Sequence, residues 1–85
     1  MPKSTFSAPY KRMLETLISI RKAAGITQVE LSERLRKQQA FVSNVERGVR
    51  RIDVIEFCVI TKALGADPEA VFQTIARGLP SKMNI

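Results

Sequence analysis

The chain has no histidine and no tryptophan, and Cys58 is its single cysteine. Without histidine it lacks both the commonest metal ligand and the commonest acid–base group. One thiol cannot form an internal disulfide, and nothing points to an oxidising compartment. Long apolar runs are absent too. The opening "MPKSTFSAPYKRM" has no apolar signal core, and no stretch approaches the roughly 18 apolar residues of a membrane span. The expectation is a cytoplasmic protein with no membrane partner. Acid is scarce: 8 Asp and Glu stand against 14 Lys and Arg, a net charge of +6. Such a balance attracts polyanions, nucleic acid first and anionic membrane second.

What is present suits one small folded domain. Of 85 residues, 45% are hydrophobic, enough for a core and far from a disordered composition. The pattern reads as five short helices without a strand, which is an all-α fold class. Residues 1–7 read as an arm, 8–79 as the domain and 80–85 as a tail. The first helix is expected from Ala8 to Ala24, with Tyr10, Met13, Leu14, Leu17, Ile20 and Ala24 at helical spacing and Gly25 as its stop. Arg21 falls on or beside the apolar face, so it should have an anionic partner.

A second helix, "QVELSERLR", opens at Thr27. Thr27 and Glu30 have the spacing of a capping box, and Ile26 with Leu31 that of a hydrophobic staple. Val29, Leu31 and Leu35 are available for the core, and Ser32 is small where another helix could come close. After a turn at about 36–38, "QAFVSNVER" reads as a third helix. It directs Phe41 or Val42, then Val45, inward and leaves Gln39, Ala40, Ser43, Asn44 and Arg47 on the other side. Asp53 with Glu56, and Ile52 with Phe57, repeat the two devices at the start of a fourth helix. "VIEFCVITKAL" is apolar nearly all round, so that helix is expected to be central. Cys58 within it should be a buried, inert thiol; Met13 and Phe57 read as core. Asp67-Pro68 opens a fifth helix, with Val71, Phe72, Ile75 and Leu79 as its apolar stripe. Two helices joined by a short turn in a small basic domain suggest a helix-turn-helix.

Between Arg34 and Arg51 there are six cations and one acid, Glu46. A solvated helix face normally mixes both signs. Here the third helix offers amides, a hydroxyl and a methyl instead. Gln and Asn can bond adenine at two atoms together, and a methyl can pack on thymine.

The segment "ITQVELSERLRKQQAFVSNVERGVRRIDVIEFCVITKALGADP" resembles the phage repressor and Cro-like helix-turn-helix family, also called xenobiotic-response-element type. The similarity extends over about residues 10–72 and is strongest in "GITQVELS", "FVSNVERG" and "VIEFCVITKALGADP". It implies a compact five-helix, lambda repressor-like fold that binds double-stranded DNA, with the third helix in the major groove and the second across the phosphates. Gln39, Ala40 and Asn44 match base-reading positions, with Ser43 next. Gln28 matches a phosphate-bonding position, and Arg36, Lys37, Arg47, Arg50 and Arg51 flank the recognition helix as phosphate candidates. Lys3 in the arm is a further, weaker candidate for the minor groove. The resemblance also implies that Arg21 pairs with Glu46; a pair of Glu46 with Arg50 at i, i+4 is the alternative.

The chain departs from the family pattern at Arg36, where glycine is common, and at Gln38, a poorer cap than the usual Ser or Thr. Either Arg36 adopts a mildly strained positive φ or the turn differs. Regulators of this fold usually dimerise, with recognition helices about 34 Å apart on a palindrome. Phe72, Ile75 and Leu79, with Ile85, are one candidate interface; alternatively Val71 and Phe72 complete the monomer core. The expectation is a non-catalytic transcriptional regulator, most simply a repressor, without cofactor, metal or small-molecule effector. The rival is a protein-interaction adaptor or antitoxin-like module of the same fold. An enzyme is more remote, because Glu33 and Glu56 have no evident partner in a cleft.

Overall fold

The computed structural model describes residues 7–82. Lys3 and Ile85 lie outside them. Five helices follow in order: α1 (Ala8–Ala23), α2 (Gln28–Arg34), α3 (Phe41–Glu46), α4 (Val54–Ala63) and α5 (Pro68–Arg77). No strand occurs among the described residues. Helix α1 packs on α3 and α5, α2 on α3, and α4 on α5. The apolar residues form two clusters. Ile26, Leu31, Val42, Ile60 and Leu64 fill the space under α2 and α3. Leu17, Phe57 and Val71 join α1, α4 and α5. Ile20 and Ile52 pack against both. Met13 is half-buried against the second cluster.

Helix starts follow local chemistry. Ser7 accepts a bond from the Tyr10 amide at the head of α1, where Pro9 fits because a first-turn residue needs no N–H partner. Asp53 and Glu56 form a complete capping box at α4. Asp67 caps α5 ahead of Pro68. The expected box at α2 is only half made. Thr27 accepts from the Glu30 amide, but the Glu30 carboxylate turns to Arg34 at 3.2 Å.

Four further expectations are corrected. Helix α1 ends at Ala23, with Ala24 as its cap, and Gly25 follows at φ +73°. Helix α3 starts at Phe41, so Gln39 and Ala40 stand in the turn before it. Val29 is 40% exposed on α2 and contributes little to the core. Helix α4 is not enclosed on all sides. Phe57, Ile60 and Thr61 point inward, while Val54, Ile55 and Val59 are 62%, 67% and 50% exposed; Cys58 is half-buried and free. An apolar helix can cover a core with one face and present the other outward, and periodicity alone does not separate that case from full burial.

Candidate nucleic-acid interface

The link from α2 to α3 (35–40) sets where α3 and the residues expected to read DNA sit. Arg36 takes φ +57°, the left-handed conformation more usual for glycine, and is the described non-glycine residue with positive φ. Its amide bonds the Glu33 carbonyl and that of Lys37 the Ser32 carbonyl, closing α2 as a Schellman-type end would. Of the two alternatives for this turn, the structure adopts the strained arginine.

Helix α3 has no capping side chain at its own N-terminus. Ser32, fully buried in α2, supplies one from a distance. Its Oγ accepts from the Val42 amide at 3.1 Å and donates to the Gln39 carbonyl at 3.3 Å. One hydroxyl thereby fastens the start of α3 and the turn ahead of it to α2. The small side chain was legible as a close-packing signal, whereas its bonds depend on a turn geometry that spacing does not reveal.

Glu46, the sole carboxylate in the basic segment, faces inward. It accepts from Arg21 Nε at 2.7 Å and Nη2 at 3.1 Å, and from Gln28 Nε2 at 2.8 Å. Arg21 donates its remaining terminal nitrogen to the Ile26 carbonyl at 2.8 Å. The Arg21 and Glu46 side chains are 10% and 11% exposed. The pair with Arg50 is not formed. Arg50 instead meets Glu56 at 2.8 Å and lies 5.1 Å from the Phe41 ring centroid. The Glu56 carboxyl is held below its ordinary pKa, first by the Arg50 hydrogen bond and next by the Asp53 amide; the same bond raises Arg50.

The expected readers and phosphate contacts thus take distinct places. Gln39 and Ala40 are exposed in the turn, and Ser43 and Asn44 are half-exposed on α3. Asn44 Oδ1 accepts from Arg47 at 2.7 Å. Arg36, Lys37, Arg47 and Arg51 are exposed; Lys37 reaches over the Phe41 ring and Arg51 over the Tyr10 ring. Gln28 is half-buried on α2, and Nε2 carries a second hydrogen that its bond to Glu46 does not use. Spacing placed Tyr10 on the apolar side of α1 but did not reveal the role of its hydroxyl, which accepts from the Ile52 amide at 3.1 Å and pins the α3–α4 link to α1.

The other candidate set is divided. Phe72 stands 54% exposed beside α4, with its ring edge-on to Phe57 at 6.4 Å. Ile75 and Leu79 line a separate depression with Pro9 and Met13 of α1. Among the described residues, no group of His, Cys, Asp and Glu could hold a metal ion, and no helix is long and apolar enough to cross a membrane.

No curated protein matches the chain. A family model described as helix-turn-helix matches residues 17–71, which run from α1 into α5. Among solved structures, an XRE-family like protein from Pseudomonas syringae pv. tomato str. DC3000 is 44% identical. It aligns over 86% of this chain and 89% of its own, with a TM-score of 0.82. With the sequence pattern, the five helices and both comparisons in agreement, the chain belongs to the Cro/C1-type (XRE) helix-turn-helix family of DNA-binding transcription regulators.

Proposed function

We propose that the protein is a repressor that binds a palindromic operator as a dimer, with 39–47 in the major groove. One observation carries the reading. The single carboxylate between Arg34 and Arg51 is folded inward onto Arg21 and Gln28, so the outer surface of that segment offers amides, a hydroxyl and cations without an exposed acid. Gln39, Ala40, Ser43 and Asn44 then read base edges. Gln28, Arg36, Lys37, Arg47 and Arg51 hold phosphates. Arg50, engaged by Glu56, adds positive potential from its place over Phe41.

Selection from a random duplex pool at moderate salt tests this. The expected product is a palindrome with half-sites about one helical turn apart. Gln39→Ala should cost about 1–3 kcal/mol on the selected site and relax one base position. Arg51→Ala should weaken all duplexes alike. Enrichment of no sequence, with salt-sensitive binding retained, would replace the operator reading with generic polyanion binding.

A further inference from the structure

Arg50 stands among the cations that follow α3, yet its side chain is held inside the molecule's own bonds. Its amide and that of Val49 both bond the Asn44 carbonyl, which fastens its backbone to the end of α3. Arg47 before it and Arg51 after it are exposed. Arg50 is half-buried, with its guanidinium turned to α4. There Nη1 donates to Glu56 Oε1 and Nη2 meets Glu56 Oε2, both at 2.8 Å. Nη1 also donates to the Arg51 carbonyl at 2.6 Å, and the group lies over the Phe41 ring. Lys37 reaches the same ring from the α2–α3 link, 5.5 Å from its centroid, and its charge adds to the lowering of the Glu56 pKa. Glu56 is thus the counter-ion at the place where cations of both links flanking α3 converge.

The fold does not require a charge on that side chain. At the start of α4 it accepts from the Asp53 amide at 2.9 Å, and a glutamine at this place in a capping box accepts as well. The ion pair itself, with side chains 42% and 28% exposed, contributes little to stability. What the carboxylate does beyond capping is occupy a guanidinium. An arginine fork fits carboxylate and phosphate by the same two-point geometry. Glu56 and a DNA phosphate are therefore rivals for one set of donors.

We infer that Glu56 withholds Arg50 from DNA: it is a positioning residue whose carboxylate takes the place of a phosphate, and it keeps sequence-independent binding one contact weaker than the cations around α3 allow. This rests on the phosphate contacts proposed around α3 and not on a palindromic operator, so a duplex of random sequence serves as the probe. Glu56→Gln keeps the cap and releases Arg50. Circular dichroism should report an unchanged helical content. Affinity for the random duplex at about 0.1 M salt should rise roughly tenfold, with a log–log salt slope steeper by about 0.9. Losing any acid strengthens DNA binding somewhat, so a double-mutant cycle isolates the contact. In an Arg50→Ala background the gain from Glu56→Gln should be no more than about threefold. The Arg50 Nε–H resonance should hold its position when duplex is added to the wild type and move in Glu56→Gln.

Weaker binding by Glu56→Gln would overturn the inference, because Glu56 would then be presenting Arg50 to phosphate. So would a gain of the same size without Arg50, or an Arg50 resonance that already moves in the wild type. Failure of both chains to bind the duplex would remove the phosphate contacts and the inference with them. The expected gain in a protein that selects no DNA sequence would uphold the withholding of Arg50 and reject only the operator reading.

Discussion

Arg21 shows how one buried charge organises the site. It satisfies three acceptors: both oxygens of Glu46 and the Ile26 carbonyl. Glu46→Ala would leave the Arg21 guanidinium, on a residue 8% exposed, with only the Ile26 carbonyl and no opposing charge. The expected loss is about 3 kcal/mol or more, read as a lower melting temperature. Replacing both partners with methionine should recover most of it, because two apolar side chains leave no unpaired charge. Arg36 carries a different tension. Arg36→Gly should stabilise the fold by up to about 1 kcal/mol, since the left-handed backbone no longer meets a Cβ. It should also weaken DNA binding and make the salt slope shallower by about one. Denaturant midpoints and salt titrations would show the opposite signs. At this scale the sequence was informative where a residue type forces a conclusion, as a charge on an apolar face forces a partner. For Arg50 it offered only Glu46 as an acid partner, because the pairing with Glu56 depends on how the α3–α4 link folds.

Among elements, α3 is the one that depends most on its neighbours. It has six residues and no cap of its own, too short to persist alone. Ser32→Ala should leave the buried Val42 amide unsatisfied and cost about 1–3 kcal/mol. Hydrogen exchange at Val42 should accelerate and DNA affinity should fall. Helix α4 owes its start to Glu56, which serves both the Asp53 amide and Arg50. Its folded pKa lies below the ordinary 4.5, so this stabilisation is complete above that value and is lost as pH falls through the folded pKa. Melting temperatures between pH 6 and pH 3 should decline, and Glu56→Gln should flatten that decline. Helix identities and most caps were legible because punctuation such as Gly25, Asp53 and Asp67-Pro68 is local. The start of α3 and the open face of α4 were not, since each is decided by what another element supplies or leaves uncovered.

On the scale of the molecule, charge is sorted. The stretch from Arg34 to Arg51 presents cations, and four of the eight acids, Asp53, Glu56, Asp67 and Glu69, lie in α4 and α5 or at their caps. If about six phosphates are neutralised, log affinity should fall with log salt at a slope near −5. A slope near zero in filter-binding or anisotropy titrations would reject phosphate contact as the source of affinity. Net charge was legible from composition alone and its segregation only in part, because the inward turn of Glu46 and the outward turn of Val54, Ile55 and Val59 are properties of packing.

The ring that pins the α3–α4 link to α1 has one more property. Tyr10 is the chain's single tyrosine, and there is no tryptophan. The intrinsic emission of the protein near 300 nm must therefore originate there. Its hydroxyl sits on the Ile52 amide and its face under the Arg51 guanidinium, 4.2 Å from the ring centroid. An arginine drawn from that ring to a phosphate would alter the fluorophore's surroundings. The native chain thus carries an optical reporter beside Arg51, and a change in its emission on adding duplex DNA would report that arginine leaving the ring without any added label.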